Sequence, residues 1–117
     1  MAAEVDAPQQ ARVTVSQDRA EVRGDDNLWM HIERGEKDVV AVAEGIRTRH
    51  PGIPVTHVHA WGGQAMEFRL GRRHHFVAVH TEDGFSWSCW SDERGRFSER
   101  DVEGMRRICA SVRTLAR

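Results

Sequence analysis

Between Val55 and Ser91, four strand-like runs follow one another with almost nothing between them: 55-VTHVHAW-61, 64-QAMEFRL-70, 75-HFVAVHT-81 and 85-FSWSCWS-91. The links are Gly62-Gly63, 71-GRRH-74 and 82-EDG-84, each with glycine available for the left-handed backbone of a tight turn. Links this short cannot reach a parallel neighbour, which needs a crossover of roughly a dozen residues or more. The runs therefore predict an antiparallel meander on which the rest of the chain must pack.

The flanks read less uniformly. Residues 1–11, MAAEVDAPQQA, are small and polar without periodicity and read as a flexible tail, leaving 12–117 as a single α+β domain. Val13 and Val15, then Ala20 and Val22, alternate with polar neighbours around Gln17-Asp18, which predicts a hairpin of short strands. In 28-LWMHIE-33, Leu28, Met30 and Ile32 alternate with Trp29, His31 and Glu33, a third strand. A helix starting at Asp26 is the competing reading, which Gly35 would interrupt.

Val39, Val42, Ala43 and Ile46 recur at helical spacing within 36-EKDVVAVAEGIRTRH-50, with acidic residues at its start and Arg47, Arg49 and His50 at its end. A second helix follows Ser98, a candidate N-cap with Asp101 three residues on. Its apolar stripe is Val102, Met105, Ile108, Cys109, Val112 and Leu115. The fold class expected is α+β: an antiparallel meander sheet of four or more strands, short N-terminal strands and two helices packed on one face. A helix followed by a four-stranded meander is similar to the cystatin-like arrangement, though no sequence motif carries the likeness.

Register decides which residues share a face. With Arg72-Arg73 as a turn, Phe68 opposes Val77 and Met66 opposes Val79. With 82-EDG-84 as a three-residue loop, Val79 opposes Trp87 and Val77 opposes Cys89. One face then carries Met66, Phe68, Leu70, Val77, Val79, Phe85, Trp87 and Cys89, a core for the helices. The other carries Glu67, Arg69, Phe76, Ala78, His80, Ser88 and Trp90. Strand 55–61 has two options. A Gly62-Gly63 turn sets His57 opposite Phe68 and His59 opposite Met66, in the core. A three-residue loop including Gln64 slips the pairing by one and moves His57, His59 and Trp61 to the outer face.

On that outer face two chemistries are open. His57, His59, Glu67 and His80 would lie together. Residues two apart in a strand are about 7 Å apart and point the same way. Imidazoles so placed can share a metal at about 2.1 Å, and imidazole with carboxylate suits zinc. Trp61, Arg69, Phe76 and Trp90 on the same face have the aromatic and arginine content of a protein-binding surface. His74-His75 reads as part of an exposed hairpin tip. Gly62-Gly63-Gln64 resembles the Gly-Gly-Gln tripeptide of peptide-release factors over three residues, and the residues after it depart from that family's pattern.

Composition removes other classes. The chain of 117 residues has 17 basic and 18 acidic residues and a net charge of −1, so no general basic field draws it to nucleic acid. No apolar run approaches the roughly 20 residues of a membrane helix, and residues 1–12 lack the apolar segment of a secretory leader. The two cysteines, Cys89 and Cys109, have neither metal-finger nor redox-motif spacing. Reduced thiols in a cytoplasmic protein are expected, although a disulfide between the two is open. No P-loop, dinucleotide fingerprint, H-E-x-x-H or G-x-S-x-G occurs.

The function expected is a small non-enzymatic cytoplasmic module without cofactor, binding a protein partner or a second copy through the outer sheet face. The alternative is a metal- or small-ligand-binding protein using the His-x-His strand.

Overall fold

The computed structural model describes residues 3–5, 7–52, 55–61, 65–82 and 84–114, with the backbone alone described along 55–61. The strands are β1 (Ala3–Glu4), β2 (Arg12–Ser16), β3 (Arg19–Arg23), β4 (Trp29–Arg34), β5 (Val55–Trp61), β6 (Ala65–Leu70), β7 (Arg73–Glu82), β8 (Phe85–Ser91) and β9 (Arg113–Thr114). The helices are α1 (Val39–Arg49), between β4 and β5, and α2 (Glu99–Ala110), after β8. Seven strands form one sheet in the order β2-β3-β4-β8-β7-β6-β5, antiparallel throughout, and β1 pairs with β9 separately. The chain thus climbs through an N-terminal meander to β4 and crosses by α1 to the far edge. It returns through the predicted meander until β8 lies beside β4.

This is the α+β class expected from the sequence. The helix ends follow local chemistry. Ser98 caps α2: the Asp101 amide donates to Ser98 Oγ at 3.2 Å, and the Ser98 amide donates to Asp101 Oδ2 at 2.9 Å. These reciprocal bonds satisfy donors that a helix N-terminus otherwise leaves open. At the start of α1 the Ala41 amide donates to Asp38 Oδ1 at 3.2 Å.

The hairpin registers differ from the sequence expectation in a way that sorts the faces. Leu70 pairs with Arg73, so the β6–β7 turn is Gly71-Arg72, with Gly71 at φ +66°. Phe68 therefore opposes His75 rather than Val77, a shift of two that preserves the faces but lengthens β7. Glu82 pairs with Phe85, so the next link has two residues, with Gly84 at φ +81°. Ala78 then opposes Cys89 and Val77 opposes Trp90. This shift of one turns β8 over relative to β7. Both differences arise because glycine takes the left-handed turn position at the lowest steric cost.

The consequence is a core on each side of the sheet. One cluster gathers Ala20, Val22, Met30, Ile32, Phe76, Ala78, Trp87 and Cys89 under Val102, Met105, Ile108 and Cys109 of α2. The other gathers Met66, Phe68, Leu70 and Val77 with Val39 and Ile46 of α1, with Trp90 packed against it. The helices are therefore divided between the faces, where the expected β8 register had brought them together. Leu115, expected on the α2 stripe, lies outside the described residues.

Two further expectations change. The reduced thiols give way to a Cys89–Cys109 disulfide that ties β8 to α2 with a Cα–Cα distance of 6.0 Å. Residues 1–11, read as a flexible tail, include Ala3–Glu4 paired with Arg113–Thr114, and Val5, Ala7 and Ala11 packed against the α2-side core. That pairing brings residues 3–4 beside residues 113–114 and leaves no periodic trace in the sequence.

Candidate functional site

α1 covers the β6–β7 half of its face. Along β8 the 35–37 link closes the face over Ser88, whose Oγ accepts from the Lys37 amide at 2.9 Å and donates to the Gly35 carbonyl at 2.7 Å. Toward β3, β4 and the Trp90 end of β8 no helix covers the same face among the described residues. Strand alternation brings there the side chains opposite to the buried Val22, Met30, Ile32 and Cys89: Glu21, Trp29, His31, Glu33 and Trp90, all half-buried. Cations rest on both tryptophans. Arg23 lies 3.9 Å and Arg94 4.4 Å from the Trp29 ring centroid. Lys37 lies 4.8 Å and Arg19 5.6 Å from that of Trp90, and His31 stacks on Trp90 at 5.5 Å between centroids. The negative face of an indole attracts a cation at such distances.

Carboxylates hold this array in place. Arg94 donates to both oxygens of Asp92, from Nε to Oδ1 and from Nη2 to Oδ2, each at 3.0 Å. His31 Nε2 reaches Asp92 Oδ2 at 2.8 Å. Burial alone would raise the Asp92 pKa, but the hydrogen bonds from Arg94 and His31 outweigh it and hold the carboxyl at about 2. Trp29 Nε1 donates to Glu21 at 3.2 Å, and Glu33 bridges Arg19 at 3.2 Å and Lys37 at 3.7 Å. Glu93 accepts from Arg49 at 2.7 Å and meets His50 at 2.8 Å, and the Arg49 hydrogen bond lowers its pKa. A cleft of about 500 Å³ between α1 and β8 opens onto this face, lined by Lys37, Val42, Arg49, Trp90, Asp92 and Arg94.

The candidate partner residues separate. Trp90 belongs to the open face. Phe76, expected beside it, is 1% exposed on the opposite face under α2, because β8 is turned over relative to β7. Arg69 is exposed on β6. The Trp61 side chain lies outside the described residues.

The metal candidates also separate. Strand β5 uses both registers considered for it. Trp61 pairs with Ala65 and His59 with Glu67, as a three-residue loop requires; the pairing then slips, and His57 matches Phe68. The two histidine positions therefore match β6 positions belonging to opposite faces, and their side chains lie outside the described residues. Glu67 is buried, with Oε1 3.8 Å from His74 Nδ1, a histidine that had been assigned to an exposed tip. His80, four residues beyond the Phe76 that opposes Glu67, is displaced by about 13 Å along the strand. Among the described residues no three His, Cys, Asp or Glu form a metal-holding group.

His75 is likewise buried rather than at a tip. It stacks on Phe68 at 5.8 Å, meets Phe97 edge-on at 5.7 Å, and its Nδ1 lies 2.9 Å from Ser91 Oγ. Burial and nearby Arg73 lower its pKa to about 4. With His75 and Ser91 1% and 5% exposed, the pair is a packed polar contact closed to substrate.

Sequence reading missed Trp29, His31, Asp92 and Arg94 as a group. The alternation of β4 was visible, but nothing local brings residues 92–94 onto it. Compared with known protein families, curated proteins and solved structures, the chain matches none of them.

Proposed function

We propose that this chain is a non-enzymatic protein-binding module whose recognition surface is the open face of β3, β4 and β8. The supporting observation is the Trp29–Trp90 array, with two half-buried indoles against four cations, of which Arg94, Arg19 and Lys37 are held in place by carboxylates. Tryptophan and arginine anchor protein interfaces, and side chains already ordered in the free protein lose little freedom on binding. Cations and carboxylates alternate across the surface, so it suits a partner of mixed charge. The cross-core disulfide supports an oxidising compartment in place of the cytoplasm expected from the sequence. Among the described residues no helix is long and apolar enough to cross a membrane.

The reading is tested by affinity capture from the native extract, with the wild type and with a Trp29→Ser/Trp90→Ser variant of unchanged fold. A protein held by the first and lost by the second supports it. An identical set of captured proteins contradicts it.

One observation favours a second reading, metal binding near Glu67. Glu67 Oε1 and His74 Nδ1 are buried, 3.8 Å apart and without hydrogen-bond partners among the described residues, while the backbone pairing sets His59 opposite Glu67. Zinc suits imidazole and carboxylate. Elemental analysis of untagged protein tests this: stoichiometric metal lost in Glu67→Gln/His74→Ala supports it, and metal-free protein that takes up no zinc in titration contradicts it.

A further inference from the structure

Among the described residues the outer strand β2 has a hydrogen-bonded neighbour on one side only, β3. The large apolar side chains exposed among the described residues are Val13 at 43%, Val15 at 56% and Phe85 at 38%, and two of the three lie on this strand. An open strand edge is a template for pairing, which proteins commonly blunt with lysine, proline or a bulge. Strand β2 has none of these: its sequence is RVTVS, and all five residues stay in register with β3.

The direction of its free backbone groups follows from the hairpin. The turn Gln17-Asp18 has two residues and makes Ser16–Arg19 the closing hydrogen-bonded pair. Pairs alternate in an antiparallel ladder, so Arg12, Thr14 and Ser16 turn their amides and carbonyls toward β3. Val13 and Val15 turn theirs outward.

We propose that β2 is a dimerisation edge, paired antiparallel with β2 of a second copy about a twofold axis through Thr14. In this register Val13 of one copy opposes Val15 of the other, and the outward backbone groups of both residues meet. Thr14 opposes Thr14, and Arg12 opposes Ser16. No like charges face one another. The four valines form a continuous row on the side of Ala20 and Val22. The occupant is a second copy because RVTVS is nearly symmetrical about Thr14, so a single register satisfies both the backbone and the side chains. Directly opposed residues lie on one side of a sheet, so the open faces of both copies end up on the same side. The dimer edge stands independently of the protein-binding reading, since it uses none of the tryptophans.

Sedimentation equilibrium over roughly 10 μM to 1 mM, a span suited to a small interface, tests the proposal. The wild type is expected to move from monomer to dimer with concentration. Val13→Pro removes an outward amide while leaving the β3 ladder intact, and is expected to weaken the dimer at least tenfold. Val15→Lys breaks the valine row and is expected to do the same, so the test survives if the proline variant fails to fold. Trp29→Ser/Trp90→Ser is expected to leave the dimer unchanged. A wild type that stays monomeric throughout overturns the proposal. So does a dimer that tolerates both β2 variants, or one that the tryptophan substitutions abolish.

Discussion

The Arg94 guanidinium lies 4.4 Å from the centre of the Trp29 ring while two of its nitrogens hold the Asp92 carboxylate at 3.0 Å. A single arginine thereby fixes both an indole and a buried acid. The same acid holds His31, which stacks on Trp90. Asp92 is the connection between the two tryptophans of the open face.

Removing that connection should be costly. Asp92→Ala leaves His31 and Arg94 without their acceptor and is expected to lower unfolding free energy by about 1–3 kcal/mol. Urea denaturation measures it. A double-mutant cycle with Arg94→Ala should give a non-additive result, because the two residues share one interaction. Acid adds a second signature. The Asp92 pKa is about 2 in the fold against 3.8 as a model value, so its stabilising contribution is present above pH 3.8 and is lost as pH falls toward 2.

His75 should govern a higher window. Its folded pKa is lowered from 6.5 to about 4, so the unfolded chain takes up the proton first as pH falls. The stability that neutral His75 supports is complete above 6.5 and declines between there and 4, by about 3 kcal/mol in all. Denaturation midpoints across that range, compared with His75→Gln, isolate the effect. The variant should lose most of the slope. An imidazole NMR titration of His75 midway near 6.5 would show that it is not held neutral.

The disulfide closes a loop with a sequence separation of 20. Chain-entropy reasoning assigns it roughly 3 kcal/mol. Cys89→Ala/Cys109→Ala should lose about that much in a denaturant titration and remain folded, since both sites are packed in the α2-side core. A thiol assay on protein denatured straight from its source should find no free cysteine.

Gly95 is expected to tolerate no side chain. A β-carbon there meets the ring of Phe97, which in turn packs edge-on against His75. Gly95→Ala should cost about 1–3 kcal/mol through displaced packing. It should also raise the His75 pKa as the ring that shields it moves, and both effects can be read from one sample by denaturation and NMR.

What was legible in the sequence is what neighbours in the chain decide. The α2 capping box lies within Ser98–Asp101, and the strand alternation of β4 and β8 within single runs. Register was not legible, because a turn displaced by one residue in 82-EDG-84 turns β8 over and sends Phe76 and Trp90 to opposite faces. Moving the turn from Arg72-Arg73 to Gly71-Arg72 shifted the register by two, lengthened β7 and placed His75 among Phe68 and Phe97 instead of at a tip. The grouping on the open face was hidden for a related reason. Arg23, Trp29 and Arg94 meet only after β8 has returned to pair with β4, a contact between residues some 60 apart that no local pattern announces.

Oxidative footprinting tests the central claim most directly, by comparing the indoles of Trp29 and Trp90 in the free protein and in the complex captured from the native extract. The account predicts that both become strongly protected on partner binding while exposed Phe85 keeps its rate. Unchanged oxidation of both tryptophans in a saturated complex would contradict it.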